Sequence, residues 1–131
     1  MKKALVYSVL AIILSLSAFS PVNDDYSILG KWECIKTYNG SPLSLVAIFR
    51  ANGVYDGFAK KKAFITGKYK MMHDTLHISD VTCNSAYEGT YKVKFFGDRD
   101  SLQFNVIQDT CVGRREGSNG FIFKRLNTAA Q

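Results

Sequence analysis

The stretch Gly89-Thr90-Tyr91-Lys92-Val93-Lys94-Phe95-Phe96, the link Gly97-Asp98-Arg99-Asp100, and then Ser101-Leu102-Gln103-Phe104-Asn105-Val106-Ile107-Gln108 together decide the fold class. Tyr91, Val93 and Phe95 alternate with Lys92 and Lys94, and Leu102, Phe104 and Val106 alternate with Gln103 and Asn105. A two-residue period gives a strand one buried face and one wet face, and the Gly/Asp-rich link has the residues and length of a hairpin connection. The same pattern extends in both directions. Lys31 to Tyr38, Leu45 to Arg50, Val54 to Phe58, Phe64 to Met71, Thr75 to Ser79 and Gly120 to Arg125 are short segments rich in aromatic and β-branched residues. Turns such as Ala51-Asn52-Gly53 and Met72-His73-Asp74 separate them. Eight strands joined by sequential hairpins make a meander, and at this strand number a meander removes its edges by closing into an up-and-down barrel. The expected class is therefore all-β, an eight-stranded antiparallel barrel. A two-sheet sandwich with crossed connections is the alternative.

Composition sets the frame around this pattern. The chain has 131 residues, 47% hydrophobic and 21% charged, with two prolines, which suits one globular domain and excludes a repeat array or a disordered tail. Met1-Lys2-Lys3 is a charged leader, Ala4 to Leu14 is an apolar run, and Ser15 to Ser20 supplies small residues for cleavage, as in a secretory signal. The division expected is a signal peptide over residues 1–20 and a barrel domain over 21–131. The apolar run falls short of the roughly 18 to 20 residues that span a bilayer, so no membrane span is expected in the mature, exported chain, whether periplasmic or secreted. Without Lys2 and Lys3 the balance is 15 basic against 11 acidic side chains. So mild an excess does not point to nucleic acid.

Export puts Cys34, Cys83 and Cys111 in a disulfide-permissive compartment, and an odd count leaves one thiol over. Antiparallel connections alternate between the two ends of a barrel. The tight turns after the second, fourth and sixth strands share one pole. The connections Asn39 to Ser44, Ala59 to Ala63, Asp80 to Glu88 and Asp109 to Asn119 share the other, which reads as a mouth. Cys83 and Cys111 both fall at that mouth. A bridge between them closes a loop of about 29 residues, worth about 3 to 4 kcal/mol in the chain-entropy treatment. Pairing of Cys34 with either one is the alternative.

Gly30-Lys31-Trp32 opens the first strand and Arg125 closes the last. Asp109-Thr110-Cys111-Val112-Gly113-Arg114 precedes a final Phe121-Ile122-Phe123-Lys124-Arg125 strand. In these features the chain resembles the lipocalin-like barrels, in particular the small exported bacterial lipocalin-like domains. The resemblance implies that Trp32 lies at the closed end of the barrel with a basic residue of the last strand packed across it. Gly30, Trp32 and Arg125 are then structural, and an Arg125 cation over the Trp32 ring would contribute on the order of 0.5 to 2 kcal/mol.

Function is legible only as a class of binding. The inward set includes Tyr55, Tyr69, Tyr91 and Phe104. Such a set can fill a barrel, or it can line a pocket in which the tyrosine hydroxyls are polar handles. The mouth loops carry Lys60, Lys61, Lys62, Arg114 and Arg115 against Asp80, Glu88, Asp109 and Glu116, a net of +1, while the opposite pole is net −2. The ligand-binding candidates are therefore Tyr55, Tyr69, Tyr91 and Phe104 in the barrel, with Lys61 and Arg114 meeting an acidic head group at the mouth. The expected partner is a small hydrophobic or amphipathic molecule, anionic if the basic loops engage it. The competing reading is a filled barrel whose mouth loops contact a protein, as in an inhibitor or interaction module. His73 and His77, four apart across a turn and the start of a strand, would lie about 13 Å apart, too far to share one metal ion. No cofactor is expected, and no nucleophile or paired-acid signature suggests an enzyme.

Overall fold

The structure, a computed structural model, describes residues 27–126; the expected signal segment lies outside them. Eight strands form a closed antiparallel barrel in chain order. They are β1 (Gly30–Tyr38), β2 (Ser41–Phe49), β3 (Val54–Ala59), β4 (Lys62–Met72), β5 (Thr75–Asp80), β6 (Gly89–Phe96), β7 (Ser101–Gln108) and β8 (Ile122–Arg125), with a short helix, α1 (Val112–Ser118), between β7 and β8. The barrel closes where β8 pairs with β1, placing Trp32 opposite Arg125 and Glu33 opposite Lys124. Every described strand has a neighbour on each side, which is how a closed barrel limits its edges.

Two mouth connections are tighter than the sequence suggests. Asn39-Gly40 alone links β1 to β2, with φ of 49° and 77°, and Lys60-Lys61 alone links β3 to β4, with φ of 50° and 65°. Two successive residues of positive φ are what a two-residue hairpin turn compatible with strand twist requires. Asn-Gly advertises such a turn, whereas Lys-Lys hides it. The register of β3 against β4 shifts between Gly57 and Phe58, so that Phe64 is the extra residue of a bulge. The other departure is α1, which occupies a stretch expected to be irregular loop.

One pole of the barrel is filled by side chains. Trp32 and Leu102 are fully buried, and Ile28 is buried in the same core. The Trp32 indole N–H donates to the Ile28 carbonyl at 2.8 Å. The Arg125 guanidinium sits 4.1 Å from the centre of the Trp32 ring, and its Nη1 donates to the Leu29 carbonyl at 2.8 Å. Gly30 makes this possible: its φ is +114°, and a Cβ there would stand 3.2 Å from Arg125 Nη1. The expected packing of Arg125 over Trp32 is thus present, and it ties the two strands that close the barrel.

Because Arg125 supplies both a cation over the ring and a hydrogen bond, Arg125→Ala is expected to lower stability by about 1 to 2 kcal/mol, with Arg125→Lys recovering part of the loss. Urea unfolding followed by the fluorescence of Trp32, the one tryptophan of the chain, measures it.

Candidate functional site

The other pole is hollow. Inward-facing residues of β2 (Leu45, Ala47, Phe49), β3 (Tyr55, Gly57) and β5 (Leu76, Ile78), joined by Phe104 and Phe123, enclose a cavity of about 160 Å³, and α1 covers it through Gly113, Arg114, Gly117 and Ser118. Ala47 is a small residue where neighbouring strands carry large side chains, while at Gly57 the place of a side chain is taken by Ile65 and Phe64. Phe64, the bulged residue, lines the cavity and is also 63% exposed, so it stands where the cavity meets solvent.

Above the cavity lies a buried ionic network that the sequence does not announce. The Arg114 guanidinium donates through Nε and Nη2 to the two oxygens of Asp109, at 2.7 and 2.9 Å, and through Nη1 to Asp80 Oδ2 at 3.0 Å. The Arg114 side chain is 5% exposed and both carboxylates are fully buried. Each aspartate also accepts a tyrosine hydroxyl at 2.5 Å, Asp80 from Tyr55 and Asp109 from Tyr91. Each accepts a backbone N–H two residues on, from Thr82 and from Cys111, both at 2.9 Å. Two strand glycines are shaped around the network. A Cβ on Gly67 would fall 2.3 Å from the Ser79 carbonyl oxygen and 2.5 Å from the Tyr55 ring, and one on Gly89 would fall 2.3 Å from Asp109 Oδ2.

This network explains α1. The helix has seven residues, two of them glycine, and no apolar stripe of its own. It is held from outside by the Cys83–Cys111 disulfide at its N-terminal end and by Arg114 reaching down to the ends of β5 and β7. The Ser118 hydroxyl closes it by donating to the Arg114 carbonyl at 2.7 Å. Of the cysteine pairings open at the sequence level, Cys83 with Cys111 is the one formed. Cys34 is free and buried, and its burial pushes the thiol pKa up.

Burial by itself would raise the pKa of Asp80 and Asp109. Hydrogen bonds from Tyr55, Thr82 and Arg114 to the first, and from Arg114, Tyr91 and Cys111 to the second, outweigh it and hold both below the usual carboxylate range. Desolvation and the neighbouring carboxylates push Tyr55 and Tyr91 well above an ordinary phenol. Burial opposes the charge on Arg114, but hydrogen bonds from it to Asp109 and Asp80 more than offset that and raise its pKa. The resting state is two carboxylates, one guanidinium and two neutral phenols.

The sequence-derived site residues separate into two groups. Tyr55, Tyr91, Phe104 and Arg114 all line the cavity. Tyr69 is at the opposite end, where its hydroxyl donates to the Arg50 carbonyl at 2.6 Å and its ring meets Phe49 edge-on. Lys61 is exposed in the β3–β4 turn. Arg114, expected as a loop cation facing solvent, points inward and is matched by two acids, so it adds nothing to a basic mouth. Asp80 and Asp109 are the residues that sequence reasoning missed. Asp80 carried a signal, since it continues the inward parity of Leu76 and Ile78. His77 Nδ1 lies 3.3 Å from Glu88 Oε2. Comparison with known proteins returned no match to a family model, to a curated protein or to a solved structure.

The pH dependence follows from these shifts. Carboxylates whose folded pKa is depressed stabilise the fold above their unfolded value and lose that contribution as pH falls, so stability should decline below about pH 4. Tyrosines whose folded pKa is raised contribute below their unfolded value, so stability should also decline above about pH 10. Urea midpoints between pH 2 and pH 11 check both limbs.

Proposed function

We propose that this chain is an exported, lipocalin-like carrier that holds a small apolar molecule inside its barrel. The observation that carries the reading is the cavity of about 160 Å³ beneath α1, walled mainly by aliphatic and aromatic side chains. For scale, an engineered apolar cavity of about 150 Å³ in another protein stays dry and accepts benzene. The cargo is therefore of single-ring size rather than a long acyl chain. Binding rather than catalysis suits the site, because Tyr55, Tyr91 and Arg114 are each shifted away from titration near neutral pH and are committed to structural hydrogen bonds.

Export is supported by the Cys83–Cys111 disulfide, which persists in oxidising compartments, and by the signal-like composition of residues 1–20. Among the described residues no helix is long and apolar enough to cross a membrane. The interaction-module reading keeps one specific support: Tyr38, Phe64, Val81 and Val112 are exposed apolar residues at or beside the mouth connections, Val81 at 79%.

Titration of ¹⁵N-labelled protein with toluene distinguishes the two readings. Under the carrier reading the amides of Leu45, Ala47 and Phe104 shift in a saturable way, and Ala47→Leu, which fills the cavity, weakens binding by at least tenfold while leaving the fold intact. Shifts confined to Tyr38, Val81 and Val112 would instead favour surface contact.

A further inference from the structure

The charge arrangement above the cavity bears on which molecules can enter it. Among the described residues that line the cavity Arg114 is the one with a charged side chain, and Asp80 and Asp109 stand behind it rather than on the wall. The aspartates take three of the five guanidinium N–H groups, one on Nε, one on Nη1 and one on Nη2. The cluster as a whole is two negative charges around one positive charge, buried and net negative.

A carboxylate entering the cavity would be a third anion around a cation that already has two, and it would lose its water to gain at most the two N–H groups left over. Burial of a charge without a dedicated partner is strongly unfavourable. An ammonium group meets the opposite obstacle. The carboxylates that could attract it are screened by Arg114, and their oxygens already accept from Tyr55, Tyr91 and the backbone N–H groups of Thr82 and Cys111. A neutral molecule incurs neither cost. A hydroxyl or carbonyl oxygen can accept from one of the two guanidinium N–H groups that the aspartates leave on Arg114, and a ring can occupy the apolar space bounded by Leu45, Ala47, Leu76 and Ile78.

From this, and resting on the carrier reading above, we infer that the cavity selects a neutral single-ring molecule bearing one hydrogen-bond acceptor, and excludes the carboxylate and ammonium counterparts of the same size. Arg114 then does not serve as an anion site for the cargo, because Asp80 and Asp109 already neutralise its charge.

The test is a matched series at pH 7 by calorimetry or amide shift titration: benzyl alcohol, benzoate and benzylamine, with toluene as the apolar control. Benzyl alcohol is expected to bind at least tenfold more tightly than either ion. Benzoate binding as tightly would make Arg114 an anion site, and benzylammonium binding as tightly would mean that the net negative charge reaches the cavity. Either result overturns the inference while leaving the carrier reading in place. If neither toluene nor any of the three binds, the carrier reading itself fails. A second measurement uses Asp80→Asn, with its fold verified by its amide spectrum. Releasing one carboxylate from Arg114 should narrow the gap between benzyl alcohol and benzoate by at least threefold, and an unchanged gap counts against the inference.

Discussion

The mouth of this barrel depends on a single cation held between two acids. Arg114 bonds to Asp80 at the end of β5 and to Asp109 just beyond β7, so one side chain ties a seven-residue helix to two strands at once. Buried ion pairs do not generally add much net stability, because desolvation offsets the attraction, but removing one partner is costly. What such a pair does well is fix an arrangement. Here it fixes α1 over the barrel, orients Tyr55 and Tyr91 through their hydroxyls, and leaves two guanidinium N–H groups beyond the three that the aspartates take. Among the described residues no buried side-chain polar atom lacks a hydrogen-bond partner.

The two poles solve the problem of filling a barrel differently. At the closed pole Trp32, Leu102 and Ile28 occupy the interior, and Arg125 seals it from outside. Toward the mouth, the paired strands β2 and β3 present the small residues Ala47 and Gly57 to the lining. A Cβ on Gly57 would come within 2.5 Å of the Ile65 side chain, so that position is both a lining element and a packing requirement. The cavity is thus a consequence of the small Ala47 on β2 combined with a cover that cannot collapse inward, because its position is set by the ion network and by the disulfide.

Most of the barrel could be read in the sequence, because two-residue alternation is a local signal. Tyr91, Val93 and Phe95 against Lys92 and Lys94 predict a half-buried strand without reference to anything distant. The Cys83–Cys111 bridge followed from the same meander, which brings the ends of β5 and β7 to one pole. Lys60-Lys61 shows where local rules fall short, since nothing in two lysines advertises positive φ, and the turn read as a longer loop. The network was hidden for a deeper reason. Counting Asp80, Asp109 and Arg114 as loop charges assumes that they face water, and only their long-range convergence beneath a helix with no apolar period reverses that. The helix exists because of the network, so neither could be found without the other.

The most direct measurement is the pH dependence of unfolding free energy for Arg114→Met between pH 5 and pH 7. Without the guanidinium, Asp80 and Asp109 are buried acids with no cation, their pKa values rise above the unfolded ones, and the folded state binds more protons than the unfolded state. The variant should therefore be about 3 to 5 kcal/mol less stable than the parent at pH 7 and should gain stability as the pH is lowered toward 5. A variant within about 1 kcal/mol of the parent, well below the usual cost of breaking a buried pair, and with no such gain on acidification would contradict the claim that Arg114 holds the barrel's cover in place.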